Sequence, residues 1–438
     1  MRSDAVETRP HRVESPGFHP HTEILMRYHT RLLVLPMAIA VAMPATFQAQ
    51  TNDFTMSNRW NRLVAQFYAD ASASRRAARA TAAAAHDSVA LRRIAMTQPP
   101  LTFLVYTPLS VAQYAAVNSA RENRNVSADA AVASASAAVL TAMFADSTAR
   151  ASIARELDLD IARATAKSGT SEPALAGRKL GEDVARRVLA VAPKMNFVAP
   201  WNGTVPTGPG MWYSAPGLPP LGIAIINSHG WTLDSASQFR PAPPPKFGSP
   251  EWNAAIDEVK RVARGRTGEQ TAIAQKWDSG DPFVVWNDKA SDEIRQHGLS
   301  DADGARVLAV LNASAVDAEI ACFEAKYHYW TIRPSQADTT IALAAKVGLP
   351  NFPSFPSGHA CSAGAFEAVL SHFFPGEKAE FHKIAEEQAM SRLYGGIHYR
   401  FDNDGGLALG RIVARHVIDR EKRGGLNAWR TASVAGKQ

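Results

Sequence analysis

Apolar residues recur along most of this chain at the three- and four-residue intervals of a helix face. Trp60, Leu63, Val64, Phe67 and Tyr68 set the pattern early, and Phe366, Val369, Leu370 and Phe373 repeat it late. Between them the chain is rich in alanine, which favours helix and lets helices approach closely. Helices are predicted within 51–96, over 101–123, and as a third and fourth across 127–189. Further helices are predicted at 251–264, 267–277, around 301–330, and at 337–347, 359–374, 377–393 and 404–422. No sustained period-two run and no Asn-Gly hairpin appears, so strands are not expected. The expected fold is all-α, the last five or so helices forming a bundle.

The pattern breaks from Pro193 to Pro250. Pro200, Pro206, Pro209, Pro216, Pro219-Pro220 and Pro243-Pro244-Pro245 rule out a long helix, while Trp201, Trp212, Tyr213 and Trp231 supply large rings to bury. Long irregular stretches of this kind are usually functional. The organisation read from this is a leader at 1–50, a helical region at 51–193, a Pro/Trp-rich connector at 194–250, and a helical bundle at 251–438.

Composition narrows the classes. Of 438 residues, 20% are charged and 46% hydrophobic, as in a soluble globular protein. The net charge is +6, and many positive charges lie in the first 31 residues and in scattered helical arginines, not in a dense Lys/Arg block with interleaved aromatics. Nucleic-acid binding is therefore not indicated. Arg27 and Arg31 precede an apolar run from Leu32 to Met43, then Pro44-Ala45-Thr46-Phe47-Gln48-Ala49. That run is too short to span a bilayer and fits an export signal, with Met26 as a possible true start. A periplasmic or secreted protein without a membrane span is expected. Cys322 and Cys361 then stand either as a disulfide or as two small buried thiols on packed helices.

Candidate chemistry gathers around Pro353-Ser354-Phe355-Pro356-Ser357-Gly358-His359. Pro356 keeps the chain extended before it, so Ser357 falls at the N-cap of a helix, with Gly358 and His359 in its first turn. Unpaired N–H groups and the helix dipole then point at one spot, suited to an oxyanion. Upstream, Lys326 and Arg333 are seven apart, two helical turns on one face. Downstream, Gly395-Gly396 between Arg392 and His398 lets the backbone turn, and Asp402, four after His398, can hold one ring nitrogen. Three cations, a Ser-Gly helix start and two histidines suit a multiply charged anion. The other histidines, such as His328, His372, His382 and His416, lack a ligand spacing and read as surface or packing residues. No G-x-S-x-G elbow, P-loop or Cys-x-x-Cys pattern is present.

The order Lys326-x6-Arg333-Pro334, Pro356-Ser357-Gly358-His359, then Ser391-Arg392-x5-His398-x3-Asp402 resembles the three-part signature of the vanadium-dependent haloperoxidase and type-2 phosphatidic acid phosphatase superfamily. The stretch from Trp231 to Pro245, with Glu258-Val259-Lys260 and Arg266 to Trp277, resembles secreted bacterial haloperoxidase-like proteins. The likeness thus extends over about 193–420. It implies a phosphate or vanadate between helices of an all-α bundle. In the haloperoxidase reading, His398 is the vanadium ligand. Lys326, Arg333, Ser357, Gly358 and Arg392 hold vanadate oxygens, His359 moves protons, Lys326 polarises peroxide and Asp402 orients His398. The substrates are then hydrogen peroxide, halide and an organic acceptor. In the alternative, an acid phosphatase, His398 attacks a phosphate ester and His359 protonates the leaving alcohol. A non-catalytic phosphate-binding protein is the third reading, separated from both by turnover. The resemblance also assigns halide choice to the position of Phe352, Phe in chloride-oxidising relatives and His in bromide-oxidising ones. Phe323, where fungal chloride enzymes tend to carry Trp, departs from that pattern.

Overall fold

The computed structural model describes residues 54–87, 90, 101–344 and 346–426; the leader, its apolar run and Met26 lie outside the described residues. Thirteen α-helices are found there: α1 (Met56–Ala84), α2 (Thr102–Arg121), α3 (Ala128–Met143), α4 (Ser147–Ser168), α5 (Glu172–Val191), α6 (Pro250–Gly265), α7 (Gly268–Ser279), α8 (Pro282–Gln296), α9 (Asp301–Tyr329), α10 (Pro334–Ala337), α11 (Gly358–Phe373), α12 (Lys378–Tyr394) and α13 (Arg400–Lys422). Among the described residues there is no strand, only a lone bridge between Met211 and Thr331. No helix there is long and apolar enough to cross a membrane.

Local sequence explains most boundaries. Ser127, Asp146, Ser249, Ser300 and Thr267 cap the starts of α3, α4, α6, α9 and α7 with their side chains. Helix α8, absent from the sequence expectations, starts in the same way, with Asp281 accepting from the Phe283 N–H and Pro282 at the first helical position. The expected helix at 337–347 is a correction. Asp338 turns back on Thr340, accepting from its N–H and its hydroxyl, so the side chain competes with helical bonding. Regular helix stops at Ala337.

Helix α9 is the axis of the molecule: 22 of its 29 residues are buried, so it is apolar on all sides rather than striped. One apolar core extends along the chain from Trp60 to Leu426 and contains α9 residues such as Leu308 and Leu311. Fully burying one such leucine is worth about 1.5–3 kcal/mol. Two helix pairs meet backbone to backbone. A Cβ on Gly410 of α13 would stand 2.0 Å from the Cys361 carbonyl of α11, and one on Gly364 of α11 would stand 2.3 Å from the Leu407 carbonyl. Gly181 of α5 approaches the Ala131 carbonyl of α3 in the same way, at 2.2 Å. The connector carries one 3-10 turn, Ile223–Asn227. It is pinned to α9 by Asp317, which accepts from the Trp231 N–H (2.7 Å), the Thr232 N–H (2.9 Å) and the Thr232 hydroxyl (2.7 Å). Burial raises that carboxyl to about 6, those hydrogen bonds opposing it.

Candidate active site

The loop before α11 folds around the ammonium of Lys326. Lys326 is fully buried near the end of α9, and its Nζ donates to the carbonyls of Pro353 (3.1 Å), Ser354 (2.9 Å) and Pro356. Those three bonds use every proton the ammonium has. Burial lowers its pKa from the usual lysine value. Lys326 and Arg333 do not share a helix face, contrary to the seven-residue spacing. Helix α9 ends at Tyr329, Trp330 takes a left-handed conformation (φ 50°), and Arg333 lies in extended backbone at the start of α10. The two cations meet instead over one ring, 5.1 and 5.0 Å from the centroid of Phe352.

Ser357 does precede α11, but its hydroxyl makes no capping bond and is buried without a partner. Its N–H donates to the Asp402 carbonyl, tying the start of α11 to α13 (2.9 Å). The first N–H groups of α11 have no intrahelical acceptor, as at any helix start. At Gly358 an added Cβ would come 3.4 Å from a Glu319 carboxylate oxygen.

His398 is 3% exposed and sits between an acid and a cation. Gly396 has φ 80°, the left-handed turn that returns His398 toward Arg392's helix. Arg333 Nη1 lies 3.0 Å from His398 Nε2, and Asp402 Oδ2 lies 2.8 Å from Nδ1. A guanidinium only donates, so Nε2 accepts and the proton belongs on Nδ1, donated to Asp402. Burial, then the charges of Arg333, Lys326 and Arg392, hold the imidazole pKa well below its ordinary value. Burial lifts Asp402 to about 6, opposed by bonds from the Ser354 hydroxyl and the Tyr399 N–H. At neutral pH the pair is therefore a neutral imidazole on a carboxylate, with an Nε2 lone pair facing cations.

His359 is oriented differently. Its Nε2 is 2.9 Å from the Trp277 carbonyl, which fixes the proton on Nε2 and leaves Nδ1 bare. Burial and then Arg392 pull its pKa down to about 3. Arg392 is anchored by Asp278 (3.1 Å), the Ala274 carbonyl (2.9 Å) and the Ser391 hydroxyl (2.9 Å), three of its five N–H groups. The eight residues singled out in the sequence thus converge. Lys326, Arg333 and Arg392 all act electrostatically on both histidines, except that Arg392 is stronger at His359 and Arg333 at His398.

Four participants were not anticipated: Ser354, Asp278, the Trp277 carbonyl and Glu319. Glu319 is half-buried on α9 seven residues before Lys326, two turns along the same face, which was a legible spacing. Burial raises it to about 8, with Lys326 opposing, so a neutral carboxylic acid stands beside Gly358 at neutral pH. Phe197 from the connector packs edge-on against Phe323 (5.3 Å) and Phe352 (6.2 Å), walling one side of the site. Cys322 of α9 and Cys361 of α11 are free and buried, and the Cys322 thiol donates to the Pro356 carbonyl (3.7 Å). His328, His372 and His382 are exposed; His416 contacts the Thr232 carbonyl.

The donor set fits a vanadate or phosphate ion. Arg333 Nη2 and Ser357 Oγ are buried with no partner. Beside them are the unprotonated Nε2 of His398, which accepts from Arg333 Nη1, and the α11 start. Unpaired buried donors of this kind each cost about 1–3 kcal/mol unless a ligand meets them.

Residues 306–423 match the family model of the PAP2 superfamily. A vanadium-dependent bromoperoxidase of Ascophyllum nodosum is 31% identical over 107 residues, 18% of this chain and 19% of its own length. A lipid A 1-phosphatase of Rhizobium etli is 42% identical over 59 residues, 14% of this chain and 25% of its own. The chain thus spans a quarter or less of these curated relatives. A bacterial vanadium-dependent iodoperoxidase structure superposes with TM-score 0.60 at 22% identity, covering 74% of this chain and 92% of that one. An apo-type bacterial vanadium-dependent chloroperoxidase superposes with TM-score 0.61 at 12% identity, covering 76% and 96%. At such identities the structural likeness is one of fold. Signature order, fold and matched residues agree: over residues 306–423 the C-terminal bundle is similar to the PAP2 superfamily, and its fold is that of the bacterial vanadium-dependent haloperoxidase structures.

Proposed function

We propose that this protein is an exported vanadate-dependent haloperoxidase that oxidises halide with hydrogen peroxide. The observation that carries the choice is the depth of the site. Lys326, Arg333 and Ser357 are fully buried, Arg392 is 2% and His398 3% exposed, and the ring of Phe352 lies against two of the cations. Peroxide and halide are small enough for such a site, whereas a phosphate ester must bring its leaving group with it. When bound, vanadate supplies a Lewis-acidic centre that activates peroxide toward halide.

The chain's own residues have these roles in the proposal. His398 offers Nε2 as ligand in place of its bond from Arg333 Nη1, the Nδ1–H bond to Asp402 keeping the proton off Nε2. Arg333 Nη2, Ser357 Oγ, the Gly358 N–H and the two remaining Arg392 protons hold oxyanion oxygens. Lys326 contributes positive potential while its protons stay on the loop carbonyls. His359 takes or gives a proton at Nδ1, which its bond to Trp277 leaves bare.

The 42% identity of a 59-residue stretch to a lipid A 1-phosphatase keeps a second reading in play. In it, His398 Nε2 forms a bond to phosphorus as the bond from phosphorus to the ester oxygen breaks, the alcohol leaving with a proton that His359 Nδ1 has first taken from solvent. The oxyanion site itself is tested by isothermal titration of metal-stripped protein with vanadate. The wild type is expected to bind one equivalent and His398→Ala none; an unchanged isotherm for the variant contradicts the assignment.

A further inference from the structure

Away from the oxyanion site, the end of α8 meets the turn that follows α11. Glu293 stands in the last turn of α8 and His297, four residues on, caps the helix end, its N–H donating to the Glu293 carbonyl. Glu377, from the 3-10 turn Pro375–Glu377, reaches them from the other side. His297 Nε2 is 3.3 Å from Glu377 Oε1 and 3.5 Å from Glu293 Oε2, and the three ligand atoms all lie within 4.8 Å of one another. Ligand atoms of a tetrahedral ion with bonds of about 2.0–2.2 Å stand about 3.3–3.6 Å apart.

A second observation points to a missing partner. The Glu293 side chain is 1% exposed, yet its Oε2, aimed at this point, accepts no hydrogen bond; Glu377 Oε2 is also buried and unpartnered. A buried carboxylate oxygen left without a donor is costly. The other oxygen of Glu293 is held by Lys289 Nζ at 2.8 Å, and the same ammonium holds Glu380 at 2.7 Å. Three carboxylates and one ammonium leave a charge of −2 with His297 neutral, which a dication cancels. The His297 ring lies against Phe374 (5.0 Å) and its backbone is fixed by the turn at Gly298 (φ 60°), so the ligand does not need ordering. Its side chain is 42% exposed, leaving a route for an ion.

We infer that Glu293, His297 and Glu377 form a binding site for one divalent first-row metal ion, zinc being the one that an imidazole and two carboxylates suit best. Water completes the tetrahedron, and calcium and magnesium are disfavoured by the imidazole nitrogen. The ion clips α8 to the start of α12, the helix that carries Arg392.

A protonated His297 bridging the two carboxylates accounts for the same distances, and the test separates the two. Full-length protein is stripped with chelator, given one equivalent of zinc chloride, desalted and analysed for metal and thermal midpoint. The wild type retains about one zinc and melts higher than its stripped form. His297→Gln and Glu377→Gln lose both effects while still binding vanadate, which shows they are folded. His398→Ala keeps both, which excludes zinc at the oxyanion site. Failure of the wild type to retain zinc, or retention by His297→Gln, overturns the site. So does a midpoint that zinc leaves unchanged but that falls when His297 is deprotonated, the mark of the imidazolium bridge.

Discussion

Three carbonyls of the signature loop take all the protons of Lys326, which makes this lysine a structural anchor as well as a charge. Lys326→Met strands those acceptors in the interior at about 1–3 kcal/mol each. A fall in the urea midpoint, with vanadate absent, is therefore expected, and an unchanged midpoint contradicts the anchor. Asp402→Ala frees Nδ1 and removes the acceptor that keeps the proton off Nε2, so vanadate affinity is expected to drop about 10–100-fold, with the fold retained by circular dichroism. Glu319 makes a pH prediction. Its pKa rises from the ordinary carboxyl range to about 8 on folding, so between those values the unfolded chain gives up a proton that the folded chain keeps. Stability contributed by this group is present at low pH and lost as pH rises through that window. Glu319→Gln removes this slope, and thermal melts from acid to mildly alkaline pH should show the variant gaining on the wild type as pH rises. At this scale the site was largely legible, because Lys326, Arg333, Ser357, Gly358, His359, Arg392, His398 and Asp402 stand in a fixed order with short local spacings. What was hidden depends on contacts between distant segments: Asp278 on Arg392, the Trp277 carbonyl on His359, and the carbonyls that occupy Lys326.

Helices α11 and α13 bring the Ser357 loop and Asp402 together, and their glycines set how closely. A methyl at Gly410 meets the Cys361 carbonyl at 2.0 Å, which no rotamer change relieves. Gly410→Ala is expected to cost roughly 1–3 kcal/mol, and to weaken vanadate binding as well, since the Ser357 N–H bond to the Asp402 carbonyl spans the same interface. A variant of wild-type stability and affinity contradicts this packing account. Helices with clear caps and apolar stripes were readable from sequence. Helix α8 was missed despite its Asp281-Pro282 start because its inward face carries Asn287, Ser291 and Glu293, polar residues that mask the stripe. The Asn287 amide donates to the Phe283 carbonyl of its own helix (2.8 Å) and forms a reciprocal pair across the core with Asn312 of α9 at 2.9 Å. Conversely, 337–347 reads as helix from its apolar spacing, and the local turn at Asp338 overrides it.

On the scale of the whole molecule, α9 holds the connector through Asp317 and the loop before α11 through Lys326. The connector packs Phe197 against Phe323 and Phe352 at one side of the site. The depth of the site is the ground for proposing halide oxidation over phosphate-ester hydrolysis on a shared oxyanion site. The most direct measurement is the sign of the vanadate effect on two reactions of the same stripped protein. One is bromination of a cyclic diketone with peroxide and bromide; the other is hydrolysis of an aryl phosphate. Five-coordinate vanadate resembles the geometry of phosphoryl transfer, so it activates the first chemistry and inhibits the second. The account predicts bromination that is absent without vanadate and saturates with one equivalent, any weak phosphatase activity being suppressed in parallel. No bromination at any vanadate level, alongside ester hydrolysis that vanadate blocks, would contradict it.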